Sequence, residues 1–264
     1  MLVKQSSDNK NDKDDARRKD MKYPLNEKFC NKQIDNMMMG PNPVKLCEEL
    51  LVGSKIRAGE KVCDLGSGQG LTSAFMAKTY GYNVFACDLW SEPSEHTQFF
   101  ESQGVADKVT AVKADATDLP FDKQFFDAVV CVDSYNYFGR DEQYLDQKLL
   151  PFVKKGGYVY IAVPGMKKDC HDHLPAELLL SWTPEQLSYM RDLTYWSGIV
   201  HKSKTCTVQC ICEMQSNEEV WNDWLQLDNE YAVSDRKSMN AGGGKYLNFI
   251  KIVLKKTLSH FSLV

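Results

Sequence analysis

The chain has 264 residues, 43% of them hydrophobic and 26% charged, and its net charge is −4 from 32 Lys and Arg against 36 Asp and Glu. That balance excludes a wholly disordered chain, a collagenous repeat and a coiled-coil rod, and the length suits one large domain or one domain with a small cap. No apolar run reaches the roughly 18 residues of a bilayer-crossing helix, and the acidic balance gives no electrostatic reason to expect nucleic acid.

Residues 1–22 mix both charge signs with almost nothing apolar, which predicts a flexible charged tail and not a secretory signal. The rest, 23–264, reads as a single domain with an N-terminal cap over 23–53 and an irregular insert at 164–182. Asn42-Pro43 reads as a helix N-cap followed by Pro at the first helical position, ahead of an apolar stripe of Leu46, Cys47, Leu50 and Leu51. A short buried strand over 61–65 runs into Gly66-Ser67-Gly68-Gln69-Gly70, then a helix over 71–80 stopped by Gly81. Strand 83–88, helix 91–103 closed by Gly104, strand 108–113 and the continuous apolar strand 126–132 follow. A helix over 141–150, a Gly156-Gly157 turn and a strand over 158–163 complete the first half.

The second half is less regular. Thr183-Pro184-Glu185-Gln186 opens a helix with a capping box, 205–214 alternates as a strand, and 216–219 is a second capping box before a Trp-bearing helix to about 231. A polar stretch, 234–244, leads to the last strand, 246–254. Strands and helices alternating at this spacing predict an α/β fold: a doubly wound, seven-stranded, mainly parallel sheet, with the last strand antiparallel. The nine cysteines form no C-x-x-C pair, and several sit in strand-like runs, so they read as small buried hydrophobes in a reducing, cytoplasmic setting.

Asp64-Leu65-Gly66-Ser67-Gly68-Gln69-Gly70 carries the strongest chemical signal. Glycines at the carboxyl end of a first strand let a ligand approach the backbone closely. The dinucleotide fingerprint needs a third small residue at position 71, where this chain has Leu71. An acid before the loop repels a pyrophosphate but accepts hydrogen bonds from an ammonium. Asp88, ending the second strand, is spaced to receive ribose hydroxyls, and Asp115, after the third, to read an adenine amino group. An ammonium, a ribose and an adenine without phosphate describe S-adenosylmethionine. Gly242-Gly243-Gly244-Lys245 lacks the spacer of a P-loop and reads as a hairpin connection.

At VCDLGSGQG (62–70), VFACDL (84–89), ADATDLPF (114–121) and FFDAVVCVDSYNYF (125–138) the sequence resembles the small-molecule, type 11-like branch of the class I S-adenosylmethionine-dependent methyltransferases. The resemblance spans about 40–255 and implies a Rossmann-like methyltransferase fold. It implies that Asp64, Gly66, Ser67 and Gly68 line the methionine portion of the cofactor. It puts Asp88 on the ribose, Leu89 or Trp90 against the adenine, Asp115 and Ala116 at the adenine edge, and Asp133 beside the transferring methyl group.

Methyl transfer from a sulfonium needs no acid for its leaving group, so positioning carries most of the catalysis, and a base is required only when the acceptor holds a proton. The catalytic candidates are Asp133, Tyr135, His171 and His173. The substrate-binding candidates are Met38, in the Met37-Met38-Met39 run, and Tyr135 and Tyr137 after the fourth strand. His171 and His173 beside Asp169, Cys170 and Asp172 raise the idea of a metal, but no third ligand is placed by spacing and no metal is expected. Trp221 and Trp224, at helical spacing, read as core. The leading expectation is a methyltransferase acting on a small molecule, with no nucleic-acid or membrane partner. A protein or nucleic-acid methyltransferase and a non-catalytic cofactor-binding regulator stand as alternatives. Oligomeric state is not readable.

Overall fold

The computed structural model describes residues 22–258, so the charged tail expected over 1–22 lies almost wholly outside the described residues. In chain order the elements are α1 (Pro24–Phe29), α2 (Lys32–Asp35), α3 (Pro43–Leu50), β1 (Lys61–Leu65), α4 (Leu71–Tyr80), β2 (Asn83–Asp88), α5 (Pro93–Ser102), β3 (Val109–Lys113), β4 (Phe126–Val132) and α6 (Tyr135–Phe138). Then come β5 (Val153–Met166), α7 (Pro184–Leu187), β6 (Arg191–Asp192), α8 (Leu193–Val200), β7 (Cys206–Glu213), α9 (Asn217–Leu225), α10 (Glu230–Asn240) and β8 (Leu247–Lys256).

The sheet order is β3-β2-β1-β4-β5-β8-β7, with β6 paired to the end of β5. From β3 to β5 the strands are parallel, and β8 runs antiparallel to both β5 and β7. The winding reverses between β1 and β4, and a doubly wound sheet opens its ligand crevice there, above the carboxyl ends of the strands. The parallel sheet and the antiparallel last strand are as expected. The strand number is not: the two-residue β6 makes eight.

Alternation along the strands builds two cores, one on each face. Val62, Val84 and Val130 bury against α3, α4 and α9, while Cys63, Cys87, Val129 and Cys131 bury against α8 and the turns after α6. Each fully buried Val or Phe contributes about 1.5–3 kcal/mol, which is why β4 is apolar on both sides. Four of the nine cysteines, Cys47, Cys63, Cys87 and Cys131, are buried free thiols.

Local signals explain most boundaries. The Asn42 side chain accepts hydrogen bonds from Val44 and Lys45 N–H at 3.0 and 3.1 Å, capping α3. The Thr183–Gln186 capping box forms at α7. Ser216 does not cap α9: its hydroxyl has no partner among the described residues, and the Glu49 carboxylate accepts from Gln215 and Ser216 N–H instead. The helix expected over 141–150 is a π turn at Leu145–Leu149 followed by a 3-10 turn at Leu150–Phe152, because Pro151 has no N–H to continue an α ladder. The helix expected to run to about 231 breaks, and Asn229 caps a second one by accepting from Ala232 N–H at 2.9 Å. The stretch 234–240, read as loop, belongs to this α10.

Candidate active site

Three connected lobes open above the crevice. The first, about 250 Å³, is lined by Met37, Met39, Gly40, the Gly66–Gln69 loop, Asp88 and Asp133. The second, about 390 Å³, runs over Leu65, Gly66, Asp88, Leu89, Trp90, Asp115 and Ala116. The third, about 590 Å³, is walled by Met39, Gly40, Asp133, Asn136 and residues of 164–249. Tyr137 lines all three and is largely exposed. Another cavity, beside Lys123, Lys155 and Lys256, sits at the start of β5, the end of the sheet away from this crevice.

The glycine loop is fixed by geometry that side chains would spoil. Gly66 has φ +75°, and a Cβ there would stand 2.3 Å from Ser134 Oγ, which itself donates to the Leu65 carbonyl at 2.9 Å. Gly70 caps α4 in the left-handed conformation against the Phe100 ring. Asp88 ties this loop to the next: Oδ2 accepts from Gly68 N–H at 2.9 Å, and Oδ1 accepts from Trp90 and Ser91 N–H at 2.9 and 3.1 Å. A carboxylate has about four lone-pair sites, so Oδ2 keeps one for a ligand. The buried Ser67 hydroxyl has no partner among the described residues and lines the first lobe. Asp115 Oδ1 accepts from Thr117 N–H and Oγ1, both at 2.7 Å, and these bonds hold its carboxyl below the usual range.

Asp133 occupies the junction of the first and third lobes. Its φ is +57°, and its N–H donates to the Ala162 carbonyl at 2.9 Å. The carboxylate packs against Gly40 and makes no hydrogen bond or ion pair with the described residues. Burial, with the negative charge of Asp235 beyond it, pushes the acid up to about 7.

Several sequence-derived candidates sit elsewhere. Asp64 does not line the cleft. It lies on the α4 face of β1, where alternation along the strand sends it, and Oδ2 accepts from Thr72 Oγ1 and Ser73 Oγ at 2.6 Å each. Burial pushes it up to about 6 against the pull of those hydroxyls. Its role is to anchor the first turn of α4. Tyr135 is fully buried among Phe138, Tyr144 and Trp196, because in the single turn of α6 it points beneath the loop while Tyr137 points out. Met38 turns into the core, and its neighbours Met37 and Met39 form the wall. His171 and His173 lie in a 3-10 turn outside all three lobes. The His171 ring is held by Asp169 at 2.6 Å and by the Leu187 carbonyl at 3.0 Å.

Gly66, Ser67, Gly68, Asp88, Leu89, Asp115, Ala116, Asp133 and Tyr137 do converge on the cleft. Sequence reasoning missed the third lobe. Trp221 and Trp224, read as core, are buried and also form its wall, and Asp235 fell in a stretch read as loop.

The lining fits a particular ligand. No Lys, Arg or His side chain lines the first two lobes, while Asp88, Asp115 and Asp133 do. A diphosphate would lack counter-charges there. A cationic nucleoside without phosphate would have acids, an unpartnered hydroxyl and an exposed indole at Trp90.

Comparison with known proteins gives the same reading. Residues 62–157 match the family model described as a methyltransferase domain. The chain is 29% identical over 104 residues to the sarcosine/dimethylglycine N-methyltransferase of Aphanothece halophytica, covering 39% of this chain and 38% of that one. It is 39% identical over 106 residues to the demethylmenaquinone methyltransferase of Clavibacter sepedonicus, covering 39% and 41%. It thus spans about two fifths of the length of these curated relatives. Among solved structures, phosphoethanolamine N-methyltransferase 2 of Haemonchus contortus, in complex with S-adenosyl-L-methionine, superposes with a TM-score of 0.68 at 19% identity, over 86% of this chain and 56% of that one. Residues 62–157 therefore match a methyltransferase domain, and the chain has the α/β fold of that S-adenosyl-L-methionine-bound methyltransferase.

Proposed function

We propose that the chain transfers a methyl group from S-adenosylmethionine to a small-molecule acceptor. The observation that carries this reading is the junction at Asp133: a phosphate-averse cleft along the carboxyl ends of β1 to β3 opens there into a further cavity of about 590 Å³. The bound cofactor would supply an electrophilic methyl carbon on a positively charged sulfur. The Gly66–Gly68 turn and Asp88 would hold the donor, with Leu89, Trp90, Asp115 and Ala116 around its base. Tyr137 and Met39 would exclude water between donor and acceptor. The chain's contribution is chiefly alignment of the two reactants. Asp133, poised near neutrality, can hold or accept a proton from an acceptor that carries one.

Sarcosine, dimethylglycine and demethylmenaquinone, in the names of the relatives, are small molecules, which supports the acceptor class. The acidic net charge supports the absence of a nucleic-acid partner. Nine unpaired cysteines support a reducing, cytoplasmic setting, and no described helix is long and apolar enough to cross a membrane. We read 23–264 as one domain, with 23–53 and 164–182 contributing to the cover.

Isothermal titration with S-adenosylhomocysteine tests the donor site: one site per chain is expected. Asp88→Ala, which frees the backbone donors of Gly68, Trp90 and Ser91, should weaken binding about tenfold or more, the equivalent of one charge-assisted bond. Unchanged affinity in that variant would refute the donor assignment. Incubation with labelled cofactor and a metabolite extract tests the acceptor, and transfer only to protein or RNA would overturn the small-molecule reading.

A further inference from the structure

We propose that the third cavity is an ammonium cage: it binds an acceptor through a positively charged or protonatable nitrogen, held over indole faces with Asp235 and Asp133 as counter-charges. This rests on the methyl-transfer reading and names the chemical class of its acceptor.

The walls come from distant parts of the chain. Trp182 stands at the end of the insert, Trp221 and Trp224 lie on α9, and Asp235 lies on α10. The Trp182 and Trp221 rings meet edge to face, with centroids 5.9 Å apart. Trp224 Nε1–H donates to Asp235 Oδ2 at 2.9 Å, and Trp182 lines the same cavity. The Trp224 N–H edge is thereby spent on the acid, which fixes its ring plane as a buttress, while Trp182 and Trp221 keep some surface toward the cavity. Tyr189 contributes less, because the Arg140 guanidinium already stacks on its ring at 4.1 Å.

The charge balance points the same way. Two carboxylates line this cavity, neither is ion-paired among the described residues, and no Lys, Arg or His lines it. Burial raises both acids, and each lacks the cation that would reverse this. Both carboxylates are half-buried without a cationic partner, so a positive guest would be favoured between them. A metal ion is a poor guest: calcium requires six to eight oxygen ligands and magnesium about six, whereas these walls are mostly aromatic. Aromatic faces with a carboxylate suit an organic ammonium. Two buried polar atoms remain without partners, Asn136 Oδ1 as an acceptor and Trp221 Nε1 as a donor. Asn136 Oδ1 can take an N–H of the ammonium, and Trp221 Nε1 can serve an oxygen elsewhere on the same small molecule.

The chemistry balances. An acceptor entering as an ammonium gives one proton to the Asp133 carboxylate. The freed lone pair forms the new N–C bond as the C–S bond breaks, and the sulfonium leaves as a neutral thioether. The positive charge ends on the methylated nitrogen, still facing the indoles.

Binding tests this apart from turnover. The full chain, saturated with S-adenosylhomocysteine, is titrated with choline and with its uncharged carbon isostere, 3,3-dimethylbutan-1-ol, following tryptophan fluorescence and heat. Choline should bind and perturb the fluorescence, and the isostere should bind about tenfold or more weakly, as expected for a desolvated cation–π contact. Asp235→Asn and, separately, Trp182→Phe should each weaken choline about tenfold while leaving S-adenosylhomocysteine affinity unchanged, which also certifies that the variant is folded. Equal binding of the two probes, or binding of neither while S-adenosylhomocysteine still saturates one site, overturns the cage and leaves the methyl-transfer reading intact. Failure of S-adenosylhomocysteine to bind refutes the methyl-transfer reading itself, and the choline-to-isostere ratio on the free chain still decides the cage.

Discussion

Asp133→Asn should make the protein more stable at alkaline pH, with little gain in acid. The substitution is sterically mild: Asn tolerates the left-handed backbone at this position, where φ is +57°. It replaces the ionisable carboxyl by a neutral amide of nearly the same shape. An acid raised from 3.8 to about 7 by burial and by the charge of Asp235 is protonated in both folded and unfolded chains below about pH 3, so no cost exists there. As pH rises from about 4 to 7 the unfolded chain ionises freely and the folded chain resists, and folding stability falls. Above the folded value the cost is complete. At about 1.36 kcal/mol per pH unit the cost is about 2 kcal/mol at pH 5 and about 4 kcal/mol at pH 8. Any change in packing or hydrogen bonding caused by the amide is common to both conditions and cancels in the comparison. The assay is urea unfolding of parent and variant at pH 5 and at pH 8, read by tryptophan fluorescence. The variant's advantage should grow by about 2–3 kcal/mol between the two, and relief of repulsion on Asp235 adds with the same sign. An advantage that does not change with pH would refute the account of Asp133 as a half-buried, charge-averse acid.

Two further outcomes follow from the same geometry. Gly66→Ala puts a methyl 2.3 Å from Ser134 Oγ at φ +75°, so it should cost about 1–3 kcal/mol in urea unfolding and abolish S-adenosylhomocysteine binding in the calorimeter; parent-like behaviour would mean the loop is not fixed as described. Asn42→Ala removes the two caps on α3 together with the 2.7 Å bond to Asp223 and the 3.1 Å bond to Asn26. It should cost about 2 kcal/mol and lower Tm by roughly 5 °C in scanning calorimetry, and a Tm within about 1 °C of the parent would refute this.

What the sequence disclosed was whatever is local. A glycine loop between a buried strand and a helix, an acid at the end of β2, an Asn-Pro N-cap and a Thr-x-x-Gln box all act within a few residues, and each is found where its spacing puts it. Facing was legible only in part. Asp64 belongs to the right motif, yet strand alternation turns it to α4. Tyr135 and Tyr137 differ by two residues on one helical turn, and only one reaches the cleft. Ser216 has the right type for a cap, but its side chain makes no capping bond, and Glu49, far away in sequence, holds the Gln215 and Ser216 N–H groups just ahead of the helix. The third lobe was hidden for the same reason: Met39, Asp133, Trp182, Trp221 and Asp235 meet only after β8 has folded back antiparallel beside β5.

The roof over the glycine loop begins before β1, and its hinge point is latched to α9 through Asn42, Asp223 and Lys45. The walls of the third lobe likewise come almost wholly from outside 62–157. The chain therefore separates two kinds of inheritance. On the proposed reading most donor contacts come from 62–157, the roof residues Met39 and Gly40 are shared by the first and third lobes, and acceptor preference can change chiefly through the C-terminal third. Swapping the C-terminal third between relatives, with the central stretch and the roof untouched, is the change by which this scaffold would acquire a new customer.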